Sequence, residues 1–137
     1  MSQGFEYLLL DSEGLSQLVR RTREMAEWLV AARRAGAELH ASAVTLVEAR
    51  DQRVRQTAFD YAVSLIVVDP ATEDIARSAS KLLGAIEQSG HKYGMDAIVV
   101  ATALALPGRT VILTSDPEDI AMLLGDNKHL VGVVRLS

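Results

Sequence analysis

Short runs of consecutive apolar residues alternate along the chain with stretches whose apolar positions recur every three or four residues. FEYLLL (5–10) is the first run, and Asp11 stops it. Leu15, Leu18 and Val19 then fall at helical spacing. Thr22 is placed to cap a helix with Met25, Leu29 and Ala32 on one face. Gly36 stands at its end, where a left-handed backbone needs no Cβ. AELHAS (37–42) predicts a weak second strand, and helical stretches follow over 45–64 with a break near Asp51. SLIVVD (64–69) predicts a third strand of β-branched residues, closed by Asp69-Pro70. Thr72 caps a long helix whose apolar face holds Ile75, Ala79, Leu82, Leu83 and Ile86, ending near Gly90. MDAIVVATALAL (95–106) predicts another helix, stopped by Pro107-Gly108. TVILTS (110–115) is a fourth strand, PEDIAMLLG a helix opened by Pro117, and LVGVVRL (130–136) a fifth strand.

Strands separated by helical segments, with no hairpin signals between them, predict an α/β domain with a five-stranded, mostly parallel sheet and about seven helices. The strands are continuous apolar runs, as expected where helices cover both faces. Ligands of such sheets sit beyond the carboxyl ends of the strands, where strand order reverses. Chemistry is therefore to be sought just after each strand.

Composition sets bounds on this picture. At 137 residues the chain is about one domain, 1–137, and 49% apolar with 23% charged residues is ordinary globular usage. The longest nearly unbroken apolar stretch, AIVVATALAL (97–106), is far too short to span a bilayer. The start, MSQGFEYLLLD, has no basic region before its apolar run, so no secretory leader is expected. Zero cysteines exclude disulfides and thiolate metal sites and agree with a cytoplasmic location. The net charge of −4 counts against a simple nucleic-acid binder. Its distribution softens that objection: residues 20–55 hold eight of the 14 basic residues against five acids, leaving the remainder at −7.

Four acids stand out by position. Asp11 follows the first strand and Glu48 lies near the start of the helix after the second. Asp96 opens the helix before the fourth strand, and Asp116 follows that strand directly. Each has a plain alternative. Asp11 and Asp96 suit helix caps, Thr45-Leu46-Val47-Glu48 reads as a capping box, and Asp116-Pro117-Glu118-Asp119 is a good helix start. Together, however, parallel winding brings all four to one edge of the sheet. Carboxylates crowded in one cleft repel unless protons or cations intervene, and a hard divalent ion such as Mg²⁺ takes such oxygen ligands.

Other chemistries lack their motifs. There is no P-loop, no G-x-G-x-x-G after the first strand and no G-x-S-x-G elbow. His40, His91 and His129 are scattered; His40 and His129 read as surface or strand-edge residues, while His91 and Lys92 line the cleft or an ordinary loop.

The acid series, carried by YLLLDSEGLS (7–16), SAVTLVEAR (42–50), HKYGMDAIVVATAL (91–104) and ILTSDPEDI (112–120), resembles the PIN domain. Its spacing is similar to that of the compact VapC-type toxin ribonucleases of toxin–antitoxin pairs. The resemblance implies a five-stranded parallel sheet and a metal-dependent endoribonuclease. Asp11, Glu48, Asp96 and Asp116 would hold Mg²⁺ or Mn²⁺, and a metal-activated water would attack the RNA phosphodiester. It implies that Thr114 holds the Asp116 carboxylate, with Asp119 as an outer ligand or a helix-start acid. Ser12 would be a further polar neighbour of the site. Where the family often has Asn or Ser, this chain has Glu13, which adds a fifth acid or points into solvent. Arg20, Arg21, Arg23, Arg50, Arg53 and Lys92 are candidate contacts to the RNA backbone. Pairing with nearby acids on a solvated helix face is their alternative. The resemblance also implies a cognate antitoxin protein and a homodimer as the working form.

Two other readings compete with an enzyme. One is a PIN-like module without catalysis that binds RNA or protein; retention of all four acids argues against it. The other is a receiver-like domain, which wants an acidic pair after the first strand and a Lys at a later strand end. The last two strands lack that Lys.

Overall fold

Leu8, Leu9 and Leu10 are all fully buried, which requires a strand covered on both faces. They form β1 (Tyr7–Leu10), the middle strand of a five-stranded sheet in the computed structural model, which describes residues 4–137. Residues 1–3, part of the predicted domain and of the leader reading, lie outside the described residues. The other strands are β2 (Glu38–Ser42), β3 (Val67–Asp69), β4 (Thr110–Thr114) and β5 (Val131–Arg135). All pairings are parallel, in the order β3-β2-β1-β4-β5. This is the predicted α/β architecture, and its strand order differs from the 2-1-3-4-5 of receiver-like sheets.

Seven helices cover the sheet: α1 (Ser12–Arg20), α2 (Arg23–Ala35), α3 (Ala43–Ala49), α4 (Gln56–Ser64), α5 (Glu73–Ala85), α6 (Gly90–Ala105) and α7 (Pro117–Leu124). Alternating strand residues feed two cores. Leu9 and Ile112 pack with Ala97, Val100 and Ile120 under α5, α6 and α7. Leu8, Leu10 and Leu113 pack with Leu15, Met25 and Phe59 under α1, α2 and α4. Among the described residues, no helix is long and apolar enough to cross a membrane.

Local signals hold where they are strongest. Thr22 accepts from the Met25 N–H at 3.1 Å, Thr72 accepts from the Ile75 N–H at 3.2 Å, and Gly36 takes a φ of 70°. Four expectations change. Ser64 ends α4, so β3 is shorter than 64–69. Ser89 caps α6 by accepting from the His91 N–H at 3.0 Å, so that helix starts at Gly90 and Asp96 lies inside it. Ser42 caps α3 by accepting from the Val44 N–H at 3.3 Å. Thr45-to-Glu48 is therefore no capping box, and Glu48 sits in the last turn of α3. His40 is buried rather than at the surface, its ring nitrogens each 2.9 Å from a carboxylate oxygen, of Glu38 and of Asp69.

Candidate metal centre

Strand order reverses between β1 and β4, and the two strands end side by side: Leu10 pairs with Leu113, and the Asp11 N–H donates to the Leu113 carbonyl at 3.1 Å. Open parallel α/β sheets place ligands at this crevice. Asp11 is buried here as the N-cap of α1. One carboxylate oxygen accepts from the Gly14 N–H at 2.9 Å and the other from the Ser115 N–H at 3.3 Å. The position of Gly14 is fixed by the same turn, since a Cβ there would stand 3.0 Å from the Leu10 Cβ. Burial pushes the Asp11 carboxyl above its ordinary value, against the hydrogen bonds from Thr114, Gly14, Ser115 and Glu13 that favour the ionised form.

Thr114 does something other than expected. Its hydroxyl accepts from the Asp116 N–H at 2.9 Å and hydrogen-bonds the Asp11 carboxylate. It thus ties the two strand ends together instead of holding the Asp116 side chain. Asp116 stands at the N-cap of α7, yet its side chain makes no capping bond; the Ser115 hydroxyl approaches it, at 3.5 Å. The helix does start here as the sequence predicts, with Pro117 first and Glu118 and Asp119 in its first turn, but without a capping bond from Asp116.

Asp96 joins these groups from α6. Its half-buried carboxyl is pushed up to about 6, first by burial and then by the charges of Glu48, Asp116, Asp119 and Asp11. Acids from three other segments of the chain therefore act on one side chain. Asp119, left open between outer ligand and helix-start acid, is among them. Glu13 is not: it accepts from the Gln17 amide at 3.2 Å and pairs with Arg20 at 3.0 Å. Ser12, Glu13, Ser16 and Glu48 line an open polar cleft of about 360 Å³ beside the cluster.

Among the described residues, no three His, Asp or Glu side chains form a ready cage for a metal ion. The donor set is nonetheless all oxygen, and the raised Asp96 carboxyl marks a place that positive charge would relieve. Mg²⁺ is bound through one or two carboxylates and several waters rather than by a closed protein cage. The residues present fit such an ion.

The candidate RNA-binding cations are mostly engaged. Arg23 lies 4.0 Å from Glu27, Arg53 pairs with Asp51 at 2.9 Å, and Arg21 and Lys92 sit over the rings of Tyr61 and Tyr93. Arg50 donates to the carbonyls of Asp51 and Val54 and to the Gln56 side chain, clamping the loop between α3 and α4. Sequence reasoning missed Arg135. Strand register sets it beside Thr114, and it donates to the Ser115 carbonyl at 3.3 Å and to Glu118. Only the pairing of β5 with β4 could have revealed it.

Comparison with known proteins adds a fold-level match. No family model matches the chain, and no curated protein does. Among solved structures it is similar to a chain of VapBC2 from Rickettsia felis bound to a DNA fragment from their promoter. The TM-score is 0.65 at 10% identity, over 96% of this chain and 99% of that one. At this identity the likeness is one of fold.

Proposed function

We propose that this chain is a divalent-metal-dependent endoribonuclease of the VapC type, a toxin held in check by an antitoxin protein. One observation carries the reading: the Asp96 carboxyl is raised to about 6 by burial together with Glu48, Asp116, Asp119 and Asp11 at the sheet's switch point. The fold likeness to a chain of the VapBC2 assembly supports it. Asp11, Glu48, Asp96 and Asp116 would hold Mg²⁺ or Mn²⁺, which when bound supplies an activated water and charge neutralisation at the phosphate.

The chain's own residues set the stage for that chemistry. The Gly14 and Ser115 amides fix the direction of the Asp11 carboxylate, and Thr114 holds the Asp116 backbone at the rim. Glu48 and Asp119 close the acidic field from two further helices. Pairing with Arg20 keeps Glu13 out of that field. An antitoxin offering a basic side chain would be drawn to the same field. A homodimer acting on RNA in the cytoplasm is part of this reading.

The test is cleavage of total RNA with Mg²⁺, with chelator, and by Asp96→Asn. Cleavage should need the metal and fall in the variant by more than the roughly 10–100-fold that outer-shell partners command. Undiminished cleavage by Asp96→Asn, or by chelated protein, overturns the proposal.

A further inference from the structure

The turn that follows β4 is gripped from both sides. Its two peptide groups, from Thr114 to Asp116, lie between the end of β5 and the Asp11 carboxylate. In the first, the Leu136 N–H donates to the Thr114 carbonyl at 2.8 Å, and the Ser115 N–H donates to Asp11 at 3.3 Å. In the second, the Arg135 guanidinium donates to the Ser115 carbonyl at 3.3 Å. The Asp116 N–H of that group donates to Thr114 Oγ1 at 2.9 Å, and the Thr114 hydroxyl bonds Asp11. Both peptides therefore take a donor on the β5 side and serve Asp11 with their own N–H, the second through a buried hydroxyl.

Hydrogen bonds in series polarise one another, and a charged donor makes the stronger bond. A cation on the Ser115 carbonyl makes the Asp116 N–H a better donor. That amide then holds a lone pair of Thr114 Oγ1 and leaves the hydroxyl hydrogen for the carboxylate. A guanidinium suits the task, because its fork reaches Ser115 with one nitrogen and Glu118, in the first turn of α7, with the other. The plain alternative is an exposed ion pair between Arg135 and Glu118, which is worth little to stability.

We infer that Arg135 is a positioning residue that acts through the Ser115 peptide and the Thr114 hydroxyl to aim the Asp11 carboxylate at a divalent cation. The inference rests on the nuclease reading and adds to it a residue of β5, a strand that carries none of the candidate ligands. The sign of the effect separates the two roles. A cation that acts by its charge alone repels a divalent ion, so removing it would tighten metal binding. Removing a cation that aims a ligand does the reverse.

Arg135→Met keeps an unbranched side chain and removes both donor and charge. In calorimetric titration with Mn²⁺ it should bind about tenfold more weakly than wild type, with Arg135→Lys, which keeps a charged donor, between the two. In metal-free protein the Asp116 amide proton resonance should move upfield in Arg135→Met, while that of Ser115, served by the Leu136 backbone, stays in place. Glu118→Gln removes the charged partner of Arg135 and leaves its donation to Ser115, so Mn²⁺ affinity should stay near wild type. Equal or tighter Mn²⁺ binding by Arg135→Met overturns the inference and leaves the nuclease reading standing. So does an unmoved Asp116 amide, or a loss in Glu118→Gln as large as in Arg135→Met, because the ion pair would then be what matters. Failure of Arg135→Met to fold overturns it too, since the side chain would then hold the fold rather than a ligand. Wild-type protein that shows no Mn²⁺ binding sinks both.

Discussion

Asp96 is a carboxyl that burial first, and then neighbouring carboxylates, push above its ordinary value. Its folded value of about 6 lies above the ordinary 3.8, so between those values the folded chain holds more protons than the unfolded one. Stability from this group is therefore present at low pH and lost as pH rises through about 6. The buried Asp11 carboxyl, also raised, acts in the same direction. The metal-free melting temperature should fall between pH 5 and pH 7.5, and Asp96→Asn should flatten that fall. Mg²⁺ should restore the loss at pH 7.5 and do less at pH 5, where protons compete for the same oxygens; thermal melts across pH with and without metal check both. Arg21 offers a test of backbone strain: it ends α1 at a φ of 57°, a conformation glycine adopts freely. Arg21→Gly should unfold at higher urea, provided its contact with the Tyr61 ring counts for little.

Capping separates structural acids and hydroxyls from the rest at the scale of elements. Thr22 bonds the Met25 amide at the start of α2, so Thr22→Ala should cost about 1 kcal/mol in urea unfolding. Asp116 makes no such bond at the start of α7, so Asp116→Ala should stay within about 0.5 kcal/mol while removing a candidate metal ligand. The two substitutions look alike on paper and should differ in the tube. Thr22, Gly36 and Thr72 were legible in the sequence because a cap acts on residues two or three away. Thr45 and Asp96 were misplaced as helix starts for a matching reason. The capping pattern at Thr45–Glu48 competed with Ser42, which lies at the strand end, and tertiary position decided between them. Gly90 and Gly94 have low helix propensity, yet α6, packed on α5, begins at Gly90.

The whole molecule shows what strand order adds. Alternating apolar runs made the parallel sheet legible, and parallel winding made the convergence of Asp11, Glu48, Asp96 and Asp116 an arguable expectation. Features that need pairing between distant segments were not legible. Arg135 meets Thr114 only through the register of β5 on β4, and His40 finds Asp69 only through β2 on β3. The His40 ring nitrogens each stand 2.9 Å from a carboxylate oxygen, so His40→Ala would take that partner from Glu38 and from the less exposed Asp69. The expected loss is about 2–3 kcal/mol, read by urea denaturation.

The neighbouring ends of β1 and β4 also order events in time. Asp11 leaves the ribosome ahead of Ser115, whose amide fixes its carboxylate and which lies 104 residues further on. At about 5–20 residues per second, roughly 5–20 seconds of translation separate them. Until β4 emerges and docks, the growing polypeptide holds scattered acids and no crevice in which they meet.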